Sequence, residues 1–312
     1  FRKEMPEDFL DLNSCQRRAK LVMDWQLEHN PSVLVAPFHF LANTSDPWLE
    51  IDLKVFNECR KYLADIGETR PLYAGISIQI ESLTDEVSTI RLVNSYTRIQ
   101  ADGYLLMFDA KLDTFNQAHY YAFAKIVSML GDLYKPIVLL RVNDFGLGLM
   151  SLGATAISSG IGYIEDFKEE ILIVDGAGYN LKPRYYVPQL LTSYSEKALK
   201  SVFEPAIGKL LACDCPYCNG STDINYLSTP KVSKGHYLYQ KQKQVALLSE
   251  MEQPERLRWF NQRVEEAREL AKQLKKASKS HDIKYDHFQY WIESINHVAK
   301  ERKPILRSIS PS

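Results

Sequence analysis

The stretch ADGYLLMFDA, residues 101–110, predicts a β-strand that is buried on both faces. Its apolar residues follow one another instead of alternating with polar ones, a pattern typical of parallel sheets covered by helices. Six further runs have the same character and continue the series along the chain. They are SVLVAPFHF at 32–40, PLYAGISIQI at 71–80, KPIVLLRVND at 135–144, LGATAISSG at 152–160, RYYVPQLL at 184–191 and KLLACDC at 209–215.

Longer stretches with helical spacing separate the first of these runs. Residues 46–67, 83–99 and 116–134 each repeat apolar positions at intervals of three and four, which predicts amphipathic helices. Asp46 is interpreted as the N-cap of the first helix and Thr84 as the N-cap of the second.

Repeated strand–helix units in a chain of 312 residues predict an α/β protein, either a (β/α)8 TIM-type barrel or a doubly wound sheet. The barrel is favoured because about seven or eight strand candidates lie between Val33 and Ala212. None of them is followed by the Gly-rich fingerprint of dinucleotide-binding folds. We expect a barrel over residues 1–236, whose eighth strand is KLLAC, and a helical C-terminal extension over residues 237–312 packed outside it.

The C-terminal region is basic. From Lys231 to the end it has 17 Lys and Arg residues against 10 Asp and Glu, a net charge of +7, whereas the rest of the chain carries −8. Two interpretations stay open: contact with an anionic partner such as nucleic acid (RNA or DNA), or a solvated lysine-rich face. The residues nominated for nucleic acid are Arg256, Arg258, Lys272, Lys275 and Lys276, interleaved with Trp259 and Phe260.

Composition places the chain among ordinary folded proteins, with 45% apolar and 25% charged residues. No apolar run reaches the roughly 18 residues of a membrane span. Five cysteines, an odd number with three of them clustered, argue against a secreted disulfide framework. We therefore expect a cytoplasmic protein with no membrane contact. A protein partner or a homodimer stays open.

The cluster CDCPYC at 213–218 brings Cys213, Cys215 and Cys218 within six residues. Such spacing can place three thiolates around one tetrahedral centre, and zinc commonly takes its fourth ligand from a histidine. His236, the first histidine after the cluster, is the predicted ligand, with His281 and His287 in reserve. Buried thiols or an oxidisable pair are the alternatives. A closed four-ligand site predicts a structural zinc ion.

With this cluster in place, the chain resembles the tRNA-guanine transglycosylase superfamily over roughly residues 33–248. Members of that superfamily are (β/α)8 barrels with a C-x-C-x-x-C zinc cluster and a later histidine beside the final strand. The stretch ADGYLLMFDA is similar to their strand that ends in a base-recognising aspartate, so the resemblance implies that Asp109 recognises guanine or a 7-deazaguanine. LGATAISSGIG is similar to the glycine-rich strand end whose amides contact the base, with Ser158 and Ser159 replacing a glycine pair.

Two catalytic stretches of the superfamily have no counterpart here. The Met-Phe-Asp-Cys-like segment with the aspartate nucleophile is missing before the cysteines, and so is the early stretch with the other catalytic aspartate. The nearest early segment is VAPFHFLANTSD. These departures put the reaction in doubt more than the fold, because function belongs to the site.

Base exchange cleaves a glycosidic bond, for which one carboxylate attacks and a second group moves a proton. Strand ends of the predicted barrel offer several candidates. Asp109 and Asp144 are the predicted catalytic pair, and His39 is predicted to contact substrate. Gln79 and Asp175 are weaker candidates, and Asp175 lies in IVDGAGYN (173–180), interpreted as a hairpin turn because it lacks the lysine of a phosphate-binding loop.

Two functions remain. The first is a transglycosylase-like enzyme that exchanges or inserts a (7-deaza)guanine-type base in nucleic acid. The second is an inactive barrel that binds nucleic acid or a partner. An open pocket with an intact carboxylate pair favours the first function, and a plugged barrel mouth favours the second.

Overall fold

The computed structural model describes residues 4–109, 116–159 and 184–302. The strands in these ranges are β1 Leu34–Val35, β2 Phe40–Leu41, β3 Leu72–Gln79, β4 Gly103–Asp109, β5 Ile137–Leu140, β6 Ala156–Ser158, β7 Arg184–Val187 and β8 Thr192–Ser195. The helices are α1 Leu12–Glu28, α2 Pro47–Asp65, α3 Glu86–Thr97, α4 Gln117–Gly131, α5 Phe145–Leu149, α6 Glu196–Phe203, α7 Ala206–Lys209, α8 Ile224–Leu227, α9 Pro230–Ser249, α10 Gln253–Ser278 and α11 His287–Glu301. Single 3-10 turns lie at Pro6–Phe9, Ile80–Leu83, Met150–Leu152 and Pro188–Leu190.

The predicted parallel strands form a curled sheet in the order β1-β3-β4-β5-β6, with β2 also paired to β3. β1 and β2 both lie parallel to β3, so the run at 32–40 is one strand path broken in its middle. The β3 residues Ile76 and Ile78 are fully buried, as are Tyr104 and Leu106 of β4. Burial of one such aliphatic side chain stabilises the fold by about 1.5–3 kcal/mol. These residues lie on one face of the sheet, whereas the other face of β4 and β5 is only half-buried. The unbroken apolar pattern therefore correctly predicted parallel strands, but not burial of both faces along all of them.

A glycine allows the break between β1 and β2. The Phe38 ring crosses directly over β3 at Gly75, where an added Cβ would lie 2.0 Å from the ring. Any larger residue at position 75 would collide with this ring, because real Cβ contacts are never that short. The close approach holds the strand end next to His39 against the sheet.

The helix starts test two sequence predictions. Asp46 caps α2 as predicted, since its carboxylate accepts a hydrogen bond from the amide of Trp48 at 3.0 Å. Thr84 does not cap α3. Asp85 does so through the amide of Ser88 at 2.9 Å, whereas the Thr84 hydroxyl donates back to the Glu81 carbonyl.

The eighth strand predicted in KLLAC is wrong. Residues 206–209 form the single helical turn α7, and residues 210–212 continue as turn and coil. The run at 184–191 also differs from expectation, because β7 pairs antiparallel with β8 in a separate two-stranded ribbon. Pro188 and the left-handed Leu191 (φ 48°) make the turn between these strands. The described residues thus form a curled parallel half-barrel and a ribbon, and a closed eight-stranded barrel is not shown.

The three C-terminal helices are confirmed. α11 packs on α4, and α10 packs on α5 and on the turns at Met150–Leu152 and Pro188–Leu190. α9 begins at Pro230 and continues past residue 236, so the predicted domain boundary falls inside one helix and stays a prediction. Among the described helices, none is long and apolar enough to cross a membrane.

Candidate metal centre and polar strand ends

Three cysteines and one histidine meet in the interior between the loop after α7 and helix α9. Cys213, Cys215, Cys218 and His236 are all buried, and their ligand atoms lie within 4.8 Å of one another. The thiols are free rather than joined in disulfides. The four residues predicted as ligands are therefore placed where they can hold one metal ion.

The spacing of the ligand atoms fits a small tetrahedral site. His236 Nδ1 lies 3.4 Å from Cys215 Sγ and 3.2 Å from Cys218 Sγ. In a tetrahedral site with metal–sulfur bonds of about 2.3 Å and metal–nitrogen bonds of about 2.0–2.1 Å, sulfur and nitrogen are about 3.5 Å apart. The cluster is thus close to the size that one such ion requires.

The other side of the imidazole is fixed by the ribbon. His236 Nε2 donates a hydrogen bond to the Tyr186 carbonyl at 2.8 Å, so this nitrogen carries the proton and Nδ1 faces the thiols. The Tyr185 ring stacks on the imidazole at 4.5 Å between centroids. Partners of this kind orient a metal-ligating histidine and set its tautomer.

Hydrogen-bond donors surround the thiols as well. Gln240 Nε2 donates to Cys213 Sγ at 3.1 Å, and the Tyr185 hydroxyl lies 3.2 Å from Cys218 Sγ. The hydrogen bond between the Cys213 and Cys218 thiols lowers the pKa of Cys213 and raises that of Cys218. Burial raises the pKa of the Tyr185 hydroxyl, which therefore stays protonated and able to donate.

The C-x-C-x-x-C spacing is explained by a tight turn. The Cys218 amide donates to the Cys215 carbonyl at 3.0 Å, and the Gly220 amide donates to the Cys213 carbonyl at 2.9 Å. Asn219 and Gly220 follow with φ values of 48° and 71°, in the left-handed region that suits asparagine and glycine. The chain reverses there and brings all three sulfurs to one side.

Asp144, predicted to be catalytic, lies in a closed polar network four residues after β5. Its side chain is buried, and Oδ1 accepts a hydrogen bond from the Tyr186 hydroxyl at 2.5 Å. Lys241 Nζ of α9 lies 2.8 Å from the same oxygen. Gln244, one turn further along α9, donates to the Tyr186 hydroxyl at 3.1 Å.

Lys241 is held mainly by charge. It is 8% exposed, and its ammonium group lies 4.4 Å from the ring centroid of Tyr186 and 5.4 Å from that of Tyr237. The contact with Asp144 is short, but its angles do not fit a hydrogen bond. A buried cation between two aromatic faces and a carboxylate is stabilised by all three.

Two neutral groups border this network. Burial raises the pKa of the Tyr186 hydroxyl well above its ordinary value, and the Asp144 charge adds to the effect. Burial lowers the pKa of His287 to about 4, although the Asp144 charge opposes that shift. At neutral pH the Tyr186 hydroxyl and the His287 imidazole are therefore uncharged.

The two serines at the end of β6 have different partners. The Ser158 carbonyl accepts hydrogen bonds from the amides of Arg141 at 2.6 Å and Val142 at 3.4 Å. The Ser159 hydroxyl contacts the Tyr237 hydroxyl. Ser159 is thereby tied to α9, next to Lys241. Contact of the serine amides with a base stays a prediction.

Asp109 is the last residue of β4, half-buried and in register with Gln79 at the end of β3. Asp144 follows the neighbouring strand β5. Both aspartates therefore lie beyond the carboxyl ends of adjacent parallel strands, as the sequence predicted. Their action as a carboxylate pair stays a prediction, and Asp175 lies outside the described residues.

His39 forms a dyad with a carboxylate that the sequence did not nominate. Its Nδ1 lies 2.7 Å from Asp52 Oδ1, and its backbone amide donates to Asp52 Oδ2 at 2.9 Å. The imidazole stacks on Trp48 with centroids 3.7 Å apart, and Nε2 lies 3.7 Å from Glu4 Oε2. Burial raises the pKa of Asp52, against the hydrogen bonds from His39. The dyad fixes the ring orientation of His39.

Several basic-region nominees have structural roles. Arg256 donates to the carbonyls of Leu248, Met251 and Met150, and Phe260 is fully buried. Lys272 pairs with Glu269 at 2.6 Å. Arg256 and Phe260 both serve in packing α10, and their contact with nucleic acid stays a prediction.

The other nominees on α10 remain nearer to solvent. The Arg258 side chain is 72% exposed. Lys275 lies over the Tyr285 ring at 5.1 Å, and Lys276 is exposed in the last turn. Their contact with nucleic acid stays a prediction.

Sequence reasoning missed Lys241, Tyr186 and Asp52. Lys241 lies in the polar run YQKQKQ, which looks like a solvated face, and Asp52 lies inside an amphipathic helix. Each is recognisable only once another element buries it. The Tyr-Tyr pair at 185–186 does not mark Tyr186 out, because the same pair occurs at 120–121.

Comparison with known proteins adds no assignment. No protein-family model matches the sequence, and no curated protein matches it either.

Proposed function

We propose that the Cys213, Cys215, Cys218 and His236 cluster binds one zinc ion in a structural role. Three sulfurs and one imidazole nitrogen are the donor set that zinc prefers, and four protein ligands leave no open position for substrate. The ion would join the cysteine loop to α9, and through Tyr186 to the ribbon. It would therefore hold α9 in the position from which Lys241 reaches Asp144.

We further propose that the protein recognises a guanine-type base of nucleic acid at the strand ends, in the manner of the tRNA-guanine transglycosylase superfamily. The observation that carries this proposal is the position of Asp109 at the carboxyl end of β4, with Gln79 beside it on β3. Carboxylates form strong directional hydrogen bonds with the ring N–H and amine donors of such a base. The C-x-C-x-x-C spacing with a later histidine supports the proposal, whereas the barrel strand expected before it is a helical turn.

The geometry around Asp144 supports binding more than base exchange. A nucleophile must reach an anomeric carbon, but Asp144 is 2% exposed and holds Tyr186 and Lys241 on one oxygen. If the Asp144 carboxylate moved away to attack a substrate, the buried Lys241 charge would lose its counter-ion, which costs free energy. The non-catalytic function, a barrel-derived protein that binds nucleic acid, is therefore the one we favour over the transglycosylase reaction.

Asp109→Asn tests base recognition. The variant should lose binding of guanine and 7-deazaguanine, measured by calorimetry, because the carbonyl side of an amide carries no charge and its NH2 group opposes the donors of the base. Asp65→Asn, a charge-matched change at the exposed end of α2, should bind as the wild type does.

A base-incorporation assay on RNA and DNA separates the two functions. Wild-type protein that binds the base without incorporating it supports the non-catalytic function. Incorporation that requires Asp144 would establish the enzyme. Unchanged base binding by Asp109→Asn, or no base binding by the wild type, would refute the proposed recognition.

A further inference from the structure

A pocket of about 340 Å³ lies between α9 and α10, with Pro188 of the ribbon at its end. Its size falls in the range of about 300–1,000 Å³ that is usual for small-molecule sites. Side chains of both helices line it. Those used below are Gln240, Lys243, Gln244, Trp259, Gln262 and Arg263.

We propose that this pocket binds one unpaired nucleotide of a single-stranded nucleic acid, with the base against Trp259 and the adjoining phosphate against Lys243. This inference rests on the proposed nucleic-acid role. It assigns a second contact, separate from Asp109, to residues that no sequence pattern brought together.

Trp259 supplies the stacking surface. It is partly buried and packed against the core, while its remaining surface faces the pocket. A ring held in one orientation costs little entropy on binding, and every base offers a π-face to it. A sequence-tolerant contact with one base follows.

Lys243 supplies the available cation. It is exposed on α9, and within the described part of the chain it has no carboxylate partner. The second cation, Arg263, is already fixed by the Pro188 carbonyl at 3.1 Å and by Glu266 at 3.2 Å. One free positive charge beside an aromatic ring suits a single phosphodiester group.

Two side chains of the pocket wall are hydrogen-bonded to the metal cluster and to the Asp144 network beneath the pocket. Gln240 donates its amide N–H to Cys213 Sγ, and the buried Gln244 donates to the Tyr186 hydroxyl. Both side chains are thereby oriented before a ligand arrives. Cys213 Sγ uses one of the two N–H donors of Gln240, and the carbonyl oxygen of the same amide is the atom that would accept from an exocyclic amine of the base.

Fluorescence anisotropy with a labelled ten-nucleotide single strand of mixed sequence tests the proposal. Trp259→Leu should weaken binding between about five- and a hundredfold, the range that loss of one base stack gives. Trp259→Phe should recover most of the affinity. Lys243→Ala should weaken binding and lower the slope of log Kd against log salt by about 0.7, the value for one phosphate contact to a single strand.

Lys234→Ala is the matched control, because Lys234 is exposed on α9, the helix of Lys243, and does not line the pocket. It should lose affinity less than Lys243→Ala does. Each variant is checked for metal content and for an unchanged unfolding midpoint. With a strand that contains no guanine, Asp109→Asn should bind like the wild type, which separates this pocket from the base site.

Three results would overturn the proposal. One is wild-type affinity in a folded Trp259→Leu variant. Another is equal binding of a duplex of the same sequence, which has no unpaired base to stack. The third is a mononucleotide that binds as tightly as the strand, which would identify a free nucleotide as the ligand.

Discussion

Asp52 and Asp144 are both buried carboxylates near the carboxyl ends of the parallel strands, but their surroundings differ. Asp52 is held by His39, which is 13 residues away in the sequence. Asp144 is held by Tyr186 and Lys241, from the ribbon and α9. The first contact forms within one strand–helix unit, whereas the second requires three distant segments.

Asp144 and Asp52 also differ in whether the elements that hold them take part in the metal cluster. α9, which carries Lys241, also carries His236, and His236 is bound to the Tyr186 carbonyl. The Asp144 network therefore shares two of its elements with the metal cluster. The His39–Asp52 dyad shares none of them. Loss of the metal should accordingly damage the Asp144 network and spare the His39–Asp52 dyad.

Metal removal is expected to have the largest effect. Cys215→Ser should lose the bound metal and lower the free energy of unfolding by several kcal/mol, since structural zinc binding can supply about 10–16 kcal/mol in small zinc domains. Elemental analysis and urea unfolding measure both quantities. Cys59→Ala, which changes a buried cysteine outside the cluster, should keep one metal per chain.

Hydrogen exchange locates the damage within this variant. Amides of α9 and β7 should exchange faster, whereas those of α2 around Asp52 should stay protected. A Cys215→Ser protein that retains metal and wild-type stability would remove the basis for the comparison.

Breaking the Asp144 ion pair should have the next largest effect. Asp144→Asn leaves the Lys241 charge buried without a counter-ion, so the free energy of unfolding should fall by about 3–5 kcal/mol. Lys241→Met should cost a similar amount. The double variant should cost clearly less than the sum, because neither charge is then left alone. Additive losses in urea unfolding would mean that the two groups do not interact.

His287 should make stability depend on pH on the Asp144 side. Its folded pKa of about 4 lies below the roughly 6.5 of the unfolded chain, so the unfolded state binds more protons between these values. Stability should fall as the pH decreases from about 6.5 to about 4, by about 3 kcal/mol in total.

Unfolding curves across this pH range measure the effect. His287→Asn should flatten the slope between about pH 6.5 and about pH 4. A slope that is the same in wild type and His287→Asn would show that the His287 proton is not coupled to folding.

The smallest effect on the free energy of unfolding is expected for a change in the His39–Asp52 dyad. Asp52→Asn keeps one acceptor for His39 but loses the charge, which should lower the free energy of unfolding by about 1–2 kcal/mol. Metal content should be unchanged. A loss as large as that of Asp144→Asn, or a loss of metal, would mean that the two sides are not independent.

Local patterns correctly predicted most elements. The parallel strands followed from unbroken apolar runs such as residues 101–110, and α2 followed from its spacing and the Asp46 cap. The metal ligands followed from the short C-x-C-x-x-C spacing. The KLLAC run was wrongly predicted to be a strand. Its apolar residues Leu210 and Leu211 lie in a turn, and only Leu211 is buried. An apolar run this short does not distinguish a strand from a packed turn.

By itself, the sequence determined the parallel strands, the long helices with the Asp46 cap of α2, and three thiols able to share one ion. These depend on neighbours within a few residues, whose steric and hydrogen-bonding preferences hold before the chain is packed. Only the tertiary structure decided that Lys241 is buried against Asp144, that Asp52 orients His39, and that Trp259 and Lys243 face one pocket. Those contacts join residues far apart in the chain, and a charged side chain is identical in sequence whether water or a buried carboxylate surrounds it.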